Sequence, residues 1–164
     1  MPKVRTKQID HQHKLWSNHT LRIVDTIDPD QDPNTPFMKY LYQFGLVHVV
    51  QEKRLDDVFS CISNVYFLRH MLNQYSNTSE PLKFIRIVGV NDVDDVYASM
   101  TLDAFIPLDE ERLDQLHDVG KFLRTANLYK GARNILSWTT EECHKEQYPS
   151  TEKTIEVDYA FGLL

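Results

Sequence analysis

Histidines, cysteines and acidic runs are the residues of this chain with chemistry to offer, and their spacing argues against each site they could build. His11, His13 and His19 share one N-terminal stretch and invite a reading as metal ligands. On a helix, His11 and His13 point to different faces, and His13 to His19 is not the i, i+4 step that brings two imidazoles onto one ion. No cysteine lies near them, so a solvated helix is expected and no metal site is assigned. His48 falls on an apolar stripe with Phe37, Leu41 and Phe44, at i, i+4, i+7 and i+11. A core histidine bonded to a neighbouring backbone or carboxylate group is expected there. Cys61, between Phe59 and Ile62, reads as a small buried hydrophobe. Cys143 sits beside Glu141, Glu142 and Glu146, whose charges oppose a thiolate. Neither cysteine reads as a nucleophile.

The run Asn91-Asp92-Val93-Asp94-Asp95 has the look of a calcium loop but lacks its central glycine and its terminal bidentate glutamate. These aspartates fit the start of a helix better, where the dipole favours negative charge, as do Asp109, Glu110 and Glu111 further on. No phosphate-cradling loop is present, because Gly120-Lys121 has neither the upstream glycine nor the following hydroxyl. The sequence therefore assigns no catalytic residue and no cofactor.

With 5 glycines in 164 residues, a turn-rich β fold is disfavoured, and the spread of Leu, Ala, Glu, Lys and Gln points to helix. The net charge of −6 and the short basic run Lys3, Arg5, Lys7 argue against nucleic acid and anionic membrane surfaces as partners. Two cysteines far apart, no signal-like apolar core and no run near 18 apolar residues give the expectation of a reduced, cytoplasmic chain that does not insert into a membrane. The sequons Asn18-His19-Thr20 and Asn77-Thr78-Ser79 then read as coincidence.

The elements that must position these residues are separated by polar breaks. Asp28 to Pro36 carries three prolines and cannot be regular helix; Ser76 to Pro81, Ile106 to Asp109 and Gln147 to Ser150 are further breaks. Thr35 followed by Pro36 predicts an N-cap and first helical residue. Leu55, Val58, Phe59 and Ile62 continue the helical pattern, and Asn64 is expected to cap a helix with Phe67, Leu68, Met71, Leu72 and Tyr75 on its apolar face. Residues 82–90 suit a buried helix or a strand, with helix favoured. Asn91 is expected to cap the next helix, with Val93, Val96, Tyr97 and Met100 inward. Leu113, Leu116, Val119 and Leu123 mark a helix ending near Asn127; Ala132, Ile135, Leu136 and Thr139 mark one running to about Glu146. A third is expected after Thr151, with Val157, Ala160, Phe161 and Leu164 on one face.

Gly120 and Gly162 lie 42 residues apart with similar flanks, Leu113 matching Ile155, Val119 matching Phe161 and Phe122 matching Leu164. A mid-helix glycine costs about 1 kcal/mol relative to alanine, so its recurrence implies close approach of a partner helix, with Ala132 placed to face it. The stretch from Leu116 to Arg133 resembles a tetratricopeptide repeat, matched at Leu116, Gly120, Leu123, Tyr129 and Ala132, with Gly162 opening the next repeat. The usual unit is about 34 residues; the longer period, with Tyr148-Pro149 in the turn, is similar to the kinesin-light-chain variety. Thr139, where a small alanine is commoner, and Trp138 depart from the pattern.

Tyr40 to Val50, followed by Arg54-Leu55-Asp56-Asp57-Val58, resembles the helical arm that follows the NTPase module of STAND-type proteins, and Asn64 to Met71 is similar to the helix after it. The order of arm, bridging helices and repeats resembles NACHT- or NB-ARC-containing proteins of the nephrocystin type. That resemblance implies an all-α fold in three parts: residues 1–35, a winged-helix tail and Pro-rich linker; 36–107, the arm; and 108–164, the start of a repeat solenoid with its second repeat cut short. It implies a protein–protein interaction or regulatory segment, at the junction of a switch module and a repeat array, without catalysis of its own.

Two surfaces are candidates for a protein or peptide partner. Lys121, Arg124, Lys130 and Arg133 form a basic set suited to an acidic segment, weighed against a solvated face. Phe37, Tyr40, Tyr42, Phe44, Tyr66, Phe67 and Tyr75 could line a groove, though most are expected in the core. The sequence from Asp158 to Leu164 stops mid-pattern, which gives the expectation of a fragment that self-associates through an uncovered C-terminal helix. A small helical enzyme or metal-binding protein is the rival class, and stoichiometric zinc or iron in the purified chain would select it.

Overall fold

The computed structural model describes residues 2–26, 34–75, 78–102 and 109–146. Among them are eight α-helices and no strand: α1 (Pro2–Thr26), α2 (Pro36–Gln51), α3 (Leu55–Ser63), α4 (Val65–Gln74), α5 (Ser79–Val88), α6 (Val90–Ser99), α7 (Glu110–Thr125) and α8 (Tyr129–Glu146). The fold is all-α, and residues 82–88 are helical within α5. The chain divides into two compact units, Met1–Val88 and Gly89–Leu164. The sequence boundaries at 35/36 and 107/108 both fall inside a unit, since α1 packs on α2 and α6 packs on α8. The helix expected after Thr151, with Gly162 and the self-association assigned to it, lies outside the described residues.

In the first unit, the Thr35 hydroxyl accepts the Met38 N–H at 3.2 Å and Pro36 takes the first helical position, as the sequence predicts. The core face of α2 is Met38, Leu41, Tyr42, Leu46 and Val49. Phe37 and Phe44 are each 45% exposed and His48 is half-buried, so of the apolar stripe Phe37, Leu41, Phe44 and His48 only Leu41 is buried. The cause is that α2 is apolar nearly all round, so periodicity cannot say which face turns inward. Helix α2 ends in a Schellman turn: Arg54 N–H reaches Val49 C=O at 3.3 Å, Lys53 N–H reaches Val50 C=O at 2.9 Å, and Lys53 sits at φ 59°. This reversal returns α3 to the core with Val58, Cys61 and Ile62. Leu55, read as part of that stripe, is 47% exposed. The Asn64 side chain caps α4 through Phe67 N–H at 3.1 Å. Phe67, Leu68 and Met71 of α4 and Phe84 and Ile85 of α5 complete this core.

In the second unit, α7 and α8 form an antiparallel hairpin. Its turn is a second Schellman motif, with Leu128 N–H to Leu123 C=O at 2.9 Å, Asn127 N–H to Arg124 C=O at 3.0 Å and Asn127 at φ 65°. Leu123 and Leu128, the two residues that flank such a turn, are both fully buried. The register is antiparallel: Gly120 lies against Leu136 near the turn, and Leu113 meets Cys143 far from it. A Cβ on Gly120 would come within 2.7 Å of Leu136 Cδ2. The close approach read from the sequence is present, but Leu136 and Ile135 make it, one turn on from Ala132.

Helix α6 is capped by Gly89, at φ 110°, not by Asn91: glycine reaches a backbone conformation that asparagine rarely takes, and the helix starts two residues earlier. Helix α6 runs parallel to α8, Asp94 bonding Gly131 and, one turn on, the Asn134 amide bonding the Tyr97 carbonyl.

Candidate interaction site

In the first unit, α1 and α2 bring together Trp16, Phe37 and Tyr40, with Phe44 beyond, beside three imidazoles. Trp16 lies 4.7 Å from Tyr40, 6.0 Å from Phe37 and 6.3 Å from His48, centre to centre, and Tyr40 lies 5.2 Å from Phe44. His19 meets Phe37 edge-on at 5.9 Å. Such offset and edge-on contacts match the quadrupoles of the rings. Phe37, Tyr40 and Phe44 fall at i, i+3 and i+7, so they share one face of α2.

Within this cluster, His13 Nδ1 is 2.8 Å from His48 Nδ1, and the Tyr40 hydroxyl is 2.8 Å from His48 Nε2. One direction of donation satisfies the chain: the Tyr40 O–H donates to His48 Nε2, and His48 Nδ1–H donates to His13 Nδ1. The reverse order satisfies it equally. Burial, and then the neighbouring His13, lower the basicity of His48. Two expectations are corrected here. His48 is half-buried and bonds an imidazole and a phenol, neither backbone nor carboxylate. His13 is no solvated side chain but the partner of His48; its spacing to His11 and His19 carried no hint of a residue 35 positions away.

Close packing sets the approach of α1. Ser17, Thr20 and Val24 are its buried residues among those described, and a Cβ on Gly45 would lie 2.5 Å from the Thr20 hydroxyl. Arg54, paired with Asp57, donates to the Asn18 side chain at 2.9 Å.

No family model, curated protein or solved structure matches this chain. The geometry must therefore carry the functional reading by itself.

The basic set lies wholly in the second unit, and carboxylates of the same unit engage Lys121 and Lys130. Lys121 pairs with Asp118 and Lys130 with Asp95, each at 2.7 Å. The hydrogen bond to Asp95 raises the Lys130 pKa. Arg124 is half-buried on α7, and Arg133 is exposed on α8. Of the residues assigned to repeat packing, Leu116, Gly120, Leu123 and Ala132 are buried in the hairpin. Tyr129 is 62% exposed, and its hydroxyl donates to the Asn127 side chain at 2.8 Å.

Of the seven aromatics expected mainly in the core, Tyr42 and Phe67 are buried, Phe37 and Phe44 are exposed and the rest are half-buried. Behind α2, the Tyr42 ring lies 5.0 Å from His70, and the Arg69 guanidinium donates to His70 Nε2 at 3.1 Å and lies 5.5 Å from the Tyr66 ring. Burial and then Arg69 push the His70 pKa down to about 4. Burial pushes the Cys61 thiol up to about 12, which fits its reading as an inert hydrophobe. Cys143 is equally buried. Groups of three or more metal-ligating side chains are absent among the described residues. No helix among them is long and apolar enough to cross a membrane.

Proposed function

We propose that this chain is a protein–protein interaction segment of a larger helical scaffold, without catalysis of its own, and that it docks a partner on the α1–α2 aromatic face. The observation that carries this reading is the exposure of Phe37 and Phe44 on the same face as Tyr40, beside Trp16. Large aromatic side chains at half exposure, clustered and backed by a packed helix pair, have the composition of binding hot spots. Their i, i+3, i+7 spacing suits an amphipathic helix as occupant, laid along α2 with its own apolar stripe inward. The basic set on α7 and α8 is the weaker surface, because Asp118 and Asp95 already offset two of its charges.

The larger organisation, a helical arm leading into tetratricopeptide-like repeats of a NACHT-type scaffold, belongs to the same proposal. It is supported by the antiparallel α7–α8 hairpin, with Gly120 at its close approach and Leu116, Leu123 and Ala132 buried around it.

The test is differential capture by the tagged chain, crosslinked in a lysate and quantified by mass spectrometry. The double variant Phe37→Asp/Phe44→Asp is expected to lose a defined partner that Tyr129→Asp, altering an exposed aromatic of the other unit, retains. Equal recovery by all three forms would remove the α1–α2 face from the proposal, and stoichiometric turnover or tightly held metal in the purified chain would favour the rival class.

A further inference from the structure

We propose that His13 and His48 form a proton-gated latch that holds α1 against α2, closed while the pair carries at most one added proton and released when both imidazoles are charged. The geometry dictates the rule. Two Nδ1 atoms at 2.8 Å share a single hydrogen, so one of them must be an acceptor. A first added proton leaves that bond intact, because the charged ring donates and the neutral ring accepts. A second places N–H against N–H and two like charges in contact, and the rings must part. The Tyr40 hydroxyl can turn to donate or accept at His48 Nε2, so it follows either tautomer and does not block the first proton.

The neighbouring charges do not neutralise a doubly charged pair. Tyr40 is the titratable group that α2 sets against His48, and His13 is the one that α1 sets there. Asp10 and Lys14, near His13 on α1, are of opposite sign, and both are exposed. Glu52 lies one turn beyond His48 and caps α2 through its backbone. From α3, which also meets α1, Asp57 is paired with Arg54, itself bonded to Asn18. The depressed basicity of His48 fits a pair whose second proton is resisted.

Release is helped by a contact that buries few apolar side chains of α1. Val24 is the single apolar side chain buried among the described residues of α1; Ser17 and Thr20 fill the rest of the contact. Their hydroxyls bond carbonyls of α1 itself, Lys14 C=O at 3.0 Å and Trp16 C=O at 2.9 Å, and do not bridge to α2. Other links among the described residues include the ring contacts of Trp16, the His19–Phe37 contact and the Arg54–Asn18 bond. The consequence for partner binding rests on the proposed function, since Trp16 comes from α1 and Phe37, Tyr40 and Phe44 from α2, so release takes that face apart. The latch itself is measured on the chain alone, so the two can fail separately.

The experiment uses the full chain carrying Trp138→Phe, which leaves Trp16 as its one tryptophan. Between pH 7.5 and 5, Trp16 emission is expected to shift to the red, and α1 amides to lose at least tenfold in protection after correction for intrinsic exchange. His13→Gln and His48→Gln are each expected to abolish the pH response, while His11→Gln retains it. If His48→Gln fails to fold by circular dichroism, His13→Gln decides, because His13 is only half-buried. Quenching of Trp16 without a red shift or added exchange would mean that the pair charges in place, and the latch is then wrong. A transition that persists unchanged in the glutamine variants overturns it as well.

Discussion

The Asp94 carboxylate on α6 accepts the N–H of Gly131 at 2.7 Å and that of Lys130 at 3.3 Å, so the first turn of α8 is capped by a neighbouring helix. Asp94 is buried, and a Cβ on Gly131 would lie 2.4 Å from Tyr97 Cβ, which leaves room for no other residue at the contact. Helix start and helix packing are therefore one interaction. Asp94→Ala removes a charged acceptor from two first-turn donors and is expected to lower stability by about 2 kcal/mol. Asp94→Asn keeps one acceptor oxygen and should cost about half that. Urea unfolding followed at Trp138, which packs against Leu113 and Cys143 in the same unit, reads both.

A second prediction concerns Gly120. Alanine there gains about 1 kcal/mol of helix propensity. Its Cβ meets Leu136 at 2.7 and 2.8 Å, and overpacking of this kind costs about 1–3 kcal/mol. The clash is expected to win, with net destabilisation near 1 kcal/mol. Leu136→Ala should reverse the sign of the Gly120→Ala effect, since it removes the atoms that clash. A double-mutant cycle with additive terms would show that Gly120 has no packing role.

The all-α class was legible in the sequence because the glycines are few and the breaks between helices carry proline or cap residues. Thr35 and Asn64 each cap a helix with an N–H three residues on, at 3.2 and 3.1 Å, a local relation that a sequence displays directly, and Asp109, read from the sequence as a dipole partner, caps α7 in the same way at 2.8 Å. Three features were not legible. Asp94 looks like a first-turn aspartate of its own helix, and only the parallel packing of α6 on α8 gives it Gly131. His13 and His48 are 35 residues apart, so no spacing rule connects them. The apolar surface of α2 extends nearly all round, and whether Phe37 or Tyr42 turns inward depends on where α3 and α4 lie. Each of these is a fact of tertiary placement and not of local pattern.

Lys53 offers the third prediction. It holds φ 59° in the α2–α3 turn, where a side chain crowds the backbone. Lys53→Gly is expected to stabilise the first unit by about 0.5–1 kcal/mol, part of the relief being offset by the extra freedom of glycine in the unfolded chain. Asn127→Gly should gain less, because asparagine tolerates this conformation and its side chain accepts the Tyr129 hydroxyl at 2.8 Å. Chemical denaturation read at Trp16 reports Lys53→Gly, and read at Trp138 reports Asn127→Gly. A larger gain at Asn127 than at Lys53 would contradict the steric account.

The last prediction is the acid limb of stability. The Arg69 guanidinium donates to His70 Nε2, so the buried neutral imidazole carries its hydrogen on Nδ1, where it has no hydrogen-bond partner among the described residues. A second proton would have to go on Nε2, facing the guanidinium; burial first, and then that guanidinium, lower the folded pKa from 6.5 to about 4. The folded form then binds fewer protons than the unfolded form between these values, so stability rises with pH across that window. The contribution of His70 is complete above pH 6.5 and is lost as pH falls towards 4, with a slope of at most about 1.4 kcal/mol per pH unit for this one group. His70→Gln keeps an acceptor for Arg69 and cannot be charged, so its stability should be flatter over the same range. The comparison belongs in the His13→Gln background, where the α1 contact no longer titrates. Parallel pH profiles for the two proteins would mean that some other group sets the acid limb.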